Sequence, residues 1–290
     1  MSIQKDKIEG FVKRIGQLPT LPTITTTLKT VINKPSSSAE DVAHLIEKDQ
    51  SLSAKVLKTV NSAAYSPNSE ITSIKHAVSM IGFNEINKMV LAISVFESLK
   101  GGGANGFNRE GFWIHSLGCA IFSNNIAVAL NYPKADDAFT AGLMHDIGIV
   151  VLDRFFQPEM AQVQETLAAE PMLFCQAENK VMGFDHTLLG EWLLTNWHIP
   201  PSVCAAVRHH HQPFSQREGS PEAQDLIVDI VHMADVICCN LEIGDSGNKV
   251  PIKFNDEHDQ RISLDAADLE KITTRAQEQI EKDSSIFTGG

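Results

Sequence analysis

Histidine and aspartate are the residues of this chain best placed to do chemistry. His145-Asp146 lies within Ala141-Gly142-Leu143-Met144-His145-Asp146-Ile147-Gly148-Ile149-Val150, which reads as an apolar helix with two ionisable groups in its middle. An ionised carboxylate is costly to bury unless it is paired or binds a cation. Asp235, flanked by Ala234, Val236 and Ile237, poses the same problem on the apolar run Ile227 to Cys239, where His232 precedes it by three residues. Several imidazoles and carboxylates at apolar helical sites can offset one another's cost by sharing a cation, and that donor set suits Fe, Mn, Co or Zn. Neighbouring helical residues point about 100° apart, so His145 and Asp146 can both reach one central site, with Asp146 able to bridge two ions.

Other histidines supply further candidates. His115 follows Trp113 in Phe112-Trp113-Ile114-His115-Ser116, His186 sits in Asp185-His186-Thr187, and His209-His210-His211 precedes a proline loop. Taken singly, each has a plainer explanation. His115 fits a core imidazole bonded to a carbonyl, His186 a helix-start residue, the triple histidine a solvated run, and His232 a packing or supporting residue. A bare His-Asp dipeptide also arises by chance. A second one, His258-Asp259, lies in a polar loop and reads as chance. The argument rests on the ordered combination, each member on an apparent helix, because ligands from several helices can converge inside a bundle.

The elements that would position these residues are helical throughout. Ser38 reads as an N-cap with Asp41 three residues on, ahead of Val42, Leu45 and Ile46. Leu52, Val56, Leu57 and Val60 form a second stripe. Ile74, Ala77, Val78 and Ile81 form a third, stopped by Gly82, and Asn84 opens a fourth carrying Ile86, Met89, Val90 and Ile93. The helices either side of Gly82 could pass for a DNA-reading helix-turn-helix, although such pairs are common in any bundle. Gly101 to Gly106 reads as a joint between an N-terminal bundle and a second helical region. Gln212 to Gln224 and Glu242 to Arg261 read as loops. A last helix starts near Ser263 and carries Leu269, Ile272, Ala276 and Ile280. Val250 to Phe254 is the only short strand candidate.

Composition narrows the functional classes. The 290 residues carry a formal net charge of -12. Nucleic acid demands clustered Lys and Arg, and no basic run here exceeds a pair, so neither nucleic acid nor an acidic membrane is an expected partner. An acidic protein handling phosphates needs a local positive source, which bound metal supplies. The five cysteines, Cys119, Cys175, Cys204, Cys238 and Cys239, form no C-x-x-C pair and read as free thiols of a reducing compartment. The polar start MSIQKDKIEG does not read as a signal peptide, and the cytoplasm is the expected location.

The order His, His-Asp, His, His-His, Asp resembles the HD superfamily of metal-dependent phosphohydrolases. That resemblance implies a minimal metal set of His115, His145, Asp146 and Asp235. Its HD-GYP branch implies three more ligands, His186, His210 and His211, with His210 and His211 the best register of the triple histidine. A closer resemblance covers roughly Ile15 to Phe214. It is carried by Leu18-Pro19-Thr20-Leu21-Pro22, Ile46-Glu47-Lys48-Asp49-Gln50-Ser51-Leu52, Val60-Asn61-Ser62-Ala63-Ala64-Tyr65 and Ile74-Lys75-His76-Ala77-Val78-Ser79-Met80-Ile81-Gly82. In order, these motifs look like an HDOD domain, a relative of HD domains found in bacterial signalling.

The resemblance implies an all-α fold, with a helical bundle over 1–100, an HD-like metal-binding core over 107–241, and a loop and final helix over 242–290. It implies one or two divalent ions (Fe, Mn, Co or Zn) and a regulatory output module that meets a signalling protein. The alternative is an active phosphohydrolase or phosphodiesterase on a nucleotide or other phosphoester, with Asp146 bridging the metals and Lys180 or Arg208 touching phosphate. The chain departs from the active HD-GYP pattern in two ways. The His-Asp-Ile-Gly-Lys motif ends in Ile149 here, and no Gly-Tyr-Pro signature follows the histidine pair.

Overall fold

A computed structural model describes residues 10–15, 20–61, 70–100, 107–217, 221–248, 250–251 and 261–283, together with Ile8. The described residues form helices, turns and loops, with no strand. The expected all-α class is therefore observed. The glycine joint at 101–106, parts of two N-terminal motifs (Leu18-Pro19 and Ser62 to Tyr65), most of the Val250 to Phe254 segment and His258-Asp259 lie outside the described residues.

The chain divides into two compact units. The smaller comprises Thr20–Lys100 and Gln277–Gly290; the larger comprises Met1–Pro19 and Gly101–Ala276. In the smaller unit, α1 (Thr23–Ile32), α2 (Ala39–Ile46), α3 (Gln50–Val60), α4 (Ile74–Ile81) and α5 (Phe83–Ser98) follow in order. Their starts are written locally. Ser38 accepts from Asp41 N and its backbone N–H donates to the Asp41 carboxylate, a complete capping box. Asp49 caps α3 through Leu52 N, and Ser73 caps α4 through His76 N. Gly82, at φ 88°, both ends α4 and precedes α5, so the helix carrying Ile86 and Met89 begins at Phe83 rather than Asn84. Val42, Ile46, Leu52, Val56, Val60, Ile74, Ala77, Val78, Ile86, Met89, Val90 and Ile93 close one apolar core, with Leu45, Leu57 and Ile81 packed at its margin. Asn61 fastens the far end of this core. Its amide donates to the Leu57 and Ile71 carbonyls, and its carbonyl accepts from Ile71 N.

The larger unit is built on α6 (Arg109–Ala129), which packs against α7 (Ala135–Met144) and α13 (Leu226–Asn240). By length and apolarity α6 could cross a membrane, but 83% of its most apolar stretch is buried inside the protein, so it is a core helix. The remaining helices are α8 (Ile147–Phe155), α9 (Gln157–Ala169), α10 (Phe174–Met182), α11 (His186–Asn196) and α12 (Pro201–His209). The helix α14 (Ala266–Asp283) is shared by the two units; its Ile272, Ala276 and Ile280 are buried as the stripe predicts, and it starts three residues after Ser263. The loop from Gln212 to Gln224 contains two short 3-10 turns, Phe214–Gln216 and Pro221–Gln224.

Glycine sets two close approaches in this unit. A Cβ on Gly142 of α7 would lie 2.5 Å from the Cys119 carbonyl oxygen of α6, and one on Gly148 of α8 would lie 2.0 Å from the His186 carbonyl oxygen of α11. Both helix pairs touch backbone to backbone, which only glycine permits. Buried carboxylates away from these crossings are met by arginine. Arg109 Nε donates to Asp153 at 2.6 Å, and Asp229 accepts from Arg217 at 2.6 Å and meets Arg261 at 2.8 Å.

Candidate metal centre

The expectation that His145 and Asp146 lie mid-helix is corrected by the structure. α7 ends at Met144, His145 is its C-cap, and Asp146 (φ -103°, ψ 14°) stands at the start of α8 without bonding that helix's backbone N–H groups. The break lets α8 turn so that Gly148 meets the start of α11. The Asp146 carboxylate is left facing His186 instead of capping its own helix.

Two groups of donors result. In one, His115, Cys119, His145 and Asp235 bring their ligand atoms within 4.8 Å of one another; in the other, Asp146, His186, His210 and His211 do so. Asp146 touches both. Its Oδ2 lies 3.1 Å from His145 Nε2, and its Oδ1 lies 3.0 Å from His186 Nε2 and 3.4 Å from His210 Nε2. His115 Nε2 is 3.2 Å from Asp235 Oδ1, and His211 Nε2 is 3.2 Å from His186 Nε2. All of these residues are buried except His211, which is half-buried.

The far side of each ring explains its orientation. His145 Nδ1 donates to the Gly142 carbonyl at 2.8 Å, His210 Nδ1 to Val207 O at 2.9 Å, His115 Nδ1 to Ile243 O at 3.2 Å, and His186 Nδ1 to Glu178 Oε2 at 2.6 Å. A ring that spends its proton on Nδ1 turns a lone pair on Nε2 toward the interior. Nitrogen and carboxylate lone pairs then face each other at 3.0 to 3.2 Å with no proton between them. Asp146 Oδ1, Asp235 Oδ2 and the Nε2 atoms of His145 and His210 are buried without a hydrogen bond. Such atoms need a second proton on the rings or a shared cation.

The charges respond accordingly. Burial opposes ionisation of His145, but the Asp146 and Asp235 carboxylates override it and raise the ring's pKa to about 9. Burial likewise opposes the His186 cation, and Glu178 and Asp146 hold that ring well above the ordinary histidine value. Against its own burial, Asp146 is held well below the usual carboxylate range by His145 and His186. Asp235 is lowered in the same way, by its bond to His115 and the charge of His145. Burial, then the neighbouring His210 and His186, depress His211 strongly. Burial raises the Glu178 carboxyl, partly countered by His186. The set of nitrogen and oxygen donors fits one or two divalent transition-metal ions.

The residues singled out in the sequence fall into place unevenly. His115, His145, Asp146, His186, His210, His211 and Asp235 come together. His209 turns away and bonds Gln212 Oε1, while His232 supports the cluster by donating from Nδ1 to the His210 carbonyl. Lys180 is in an exposed ion pair with Glu170, directed at solvent rather than at the cluster. Arg208 is next to the cluster, donating to Thr187 Oγ1 at 2.8 Å with Glu191 beside it.

Three supporting features escaped the sequence reading. Glu178, in the polar context Gln176-Ala177-Glu178-Asn179, is fully buried and also accepts from His186 N. Cys119 stands one helical turn beyond His115, with its Sγ 3.5 Å from His115 Nε2. The segment after α13, expected to be plain loop, straps the start of α6. Asp245 N donates to Gly111 O, and Gly244, at φ 67°, fits so closely that a Cβ would lie 2.3 Å from His115 N. The spacing of His115 and Cys119 on one helix face was the one signal available for any of the three.

Comparison with known proteins places this geometry in a family. The chain overlays a crystal structure of an HDOD domain protein of unknown function from Geobacter sulfurreducens with a TM-score of 0.79 and 26% identity, covering 97% of this chain and 96% of that one. A candidate signal transduction protein from Marinobacter aquaeolei VT8 matches with a TM-score of 0.77 at 20% identity, over 98% of this chain and 64% of that one. A candidate phosphohydrolase from Shewanella amazonensis SB2B matches with a TM-score of 0.71 at 23% identity, over 95% and 97%. Below 25% identity these two likenesses speak for the fold alone. In sequence, an uncharacterised protein of Treponema pallidum is 26% identical over 215 residues; the match takes in 73% of this chain but only 41% of that relative. Residues 18–213 match the HDOD domain model, about two-thirds of the sequence, and the chain belongs to the HDOD domain family.

Proposed function

We propose that this protein is a bacterial signalling output module whose larger unit holds one or two divalent ions (Fe, Mn, Co or Zn) among His115, His145, Asp146, His186, His210, His211 and Asp235. The observation that carries this reading is the set of inward Nε2 lone pairs, each fixed by an Nδ1 hydrogen bond and gathered around the two oxygens of Asp146. In this reading Asp146 is the bridge. The bound ions tie α6, α7, α8, α11, α12 and α13 together, and the partner is another signalling protein. The burial of every cluster member except His211 favours a structural or sensing centre over an open reaction site. The name of the Marinobacter neighbour agrees with a signalling role.

The test is metal content per chain by mass spectrometry, on protein purified without a histidine tag, beside Asp146→Ala. One or two equivalents that disappear in the variant support the reading. No metal in either protein, after anaerobic purification and reloading, overturns it.

A second reading is a metal-dependent phosphohydrolase acting on a nucleotide or other phosphoester. The division of Asp146 between two donor groups, together with the name of the Shewanella neighbour, favours it. Bound ions would supply Lewis acidity toward a phosphoryl oxygen. Substrate would approach beside half-buried His211, where Arg208, steadied by Thr187 and Glu191, is the nearby cation. Lys180 could join only by leaving Glu170. Ile149, buried where the HD-GYP pattern has lysine, offers phosphate nothing. Failure of the metal-loaded protein to hydrolyse any of a panel of phosphoesters and nucleotides would remove this reading and leave the first intact.

A further inference from the structure

Cys119 is a buried thiol at the edge of the histidine and aspartate cluster. It is fully buried on α6, four residues after His115, so both side chains leave the same helix face. Its sulfur belongs to the donor group of His115, His145 and Asp235, away from His186, His210 and His211. The two donor groups therefore differ in kind: the second offers only imidazole and carboxylate, and the first adds a thiol.

We propose that the position bounded by His115, Cys119, His145 and Asp235 is a four-ligand, thiolate-bearing metal site that selects Zn2+ over Mn2+ and Mg2+. The inference rests on the metal-binding reading above and specifies one of its two positions. The four donor atoms are close enough together to share one ion. Zn–S of about 2.3 Å and Zn–N or Zn–O of about 2.0 to 2.1 Å imply ligand-to-ligand edges of roughly 3.3 to 3.6 Å. Three of the six edges are 3.5 Å from Cys119 Sγ to His115 Nε2, 3.2 Å from His115 Nε2 to Asp235 Oδ1, and 3.8 Å from His145 Nε2 to Asp235 Oδ1, and the other three lie within 4.8 Å. His145 Nε2, one of these donor atoms, is buried with no hydrogen bond.

On binding, the cation takes the place of the thiol proton, which leaves to solvent. A thiolate favours zinc among the available metals, whereas Mn2+ and Mg2+ prefer oxygen. Four protein ligands make the shell of a structural zinc site, and Asp146 Oδ2, 3.1 Å from His145 Nε2, would be a fifth donor when it bridges to the second position. The two positions would then divide the labour, one holding α6, α7 and α13 together and the other, at His211, meeting solvent.

Cobalt substitution in the whole 290-residue chain tests this. The chain is stripped with a chelator, kept reduced, and titrated with Co2+. The expected result is a near-ultraviolet thiolate-to-Co2+ charge-transfer band that Cys119→Ala abolishes and Cys239→Ala keeps. Cys239 is the control because its thiol lies near Asp235 outside the donor group. In competition titrations, Cys119→Ala should weaken the tighter Zn2+ site by at least the roughly 10–100-fold that loss of an outer partner costs. X-ray absorption at the zinc edge of the unaltered protein, which depends on no variant folding, should show a sulfur scatterer at about 2.3 Å. Metal bound with no sulfur scatterer, or a band that survives Cys119→Ala, overturns the thiolate site and leaves the metal centre standing. No metal bound at all overturns both.

Discussion

In the smaller unit α2, α3 and α4 each turn one stripe inward, onto a core of aliphatic residues and a methionine. In the larger unit α6 and α13 are buried almost all round, and the interior between them holds imidazoles and carboxylates. Burying an aliphatic side chain stabilises a fold by about 1.5–3 kcal/mol. A buried ion pair, by contrast, about breaks even with apolar packing of the same volume. One interior therefore explains itself as folding energy. The other does not, and the cation proposed above is what would offset its polar groups.

The largest effect that separates the two interiors comes from Asp146→Ala. Removing one partner of a buried charged group should destabilise the metal-free chain by about 3–5 kcal/mol in urea unfolding. It should also remove metal in mass spectrometry. Ile46→Ala, in the apolar core, should cost a comparable 2–5 kcal/mol or so and leave metal content unchanged. Metal lost in both variants would break the distinction.

pH comes next. The folded-state pKa of His145 is raised from 6.5 to about 9. Its contribution is complete below pH 6.5 and is lost as pH rises through about 9. Metal-free protein should lose on the order of 3 kcal/mol across that window, and metal-loaded protein should not, because the cation replaces the proton. Parallel stability curves with and without metal would count against a shared site.

Gly148→Ala puts a methyl group 2.0 Å from the His186 carbonyl oxygen, so α8 and α11 must separate. Overpacking of this kind costs about 1–3 kcal/mol, and metal affinity should fall with it, read by competition with a chromogenic chelator. Glu178→Gln is the subtler probe. It removes the charge that fixes His186 Nδ1–H and should weaken metal binding by roughly 10–100-fold with little change in unfolding. The smallest effect belongs to the other unit: Ser38→Ala deletes the α2 cap for about 1 kcal/mol and should leave metal binding untouched.

The same contrast governs what could be read from the sequence. Ser38 with Asp41, and the stripes from Val42 to Ile93, are local codes, because caps and helical spacing act within a few residues. The helical class and the family resemblance followed from them and from the ordered histidine motifs. The costly burial of Asp146 and Asp235 was legible from their apolar neighbours. The break at His145 and Asp146 was not, since the contact it serves is long-range, Gly148 meeting α11 at His186, 38 residues further along the chain. Glu178 looks like any surface glutamate until α10 folds over His186. The Ile243 carbonyl carries no side-chain signature at all.

That carbonyl bears on where the protein can be cut. The family match stops at residue 213, short of Asp235, and a fragment ending at 241 would keep every member of the cluster. It would still lack Ile243, Gly244 and Asp245, which hold the first turn of α6 and the Nδ1 proton of His115. In such a fragment His115 could exchange tautomers and present an N–H to Asp235 instead of a lone pair. An expressed piece meant to report on the metal centre must therefore run through residue 248, whose side chain ties this strap to Phe174.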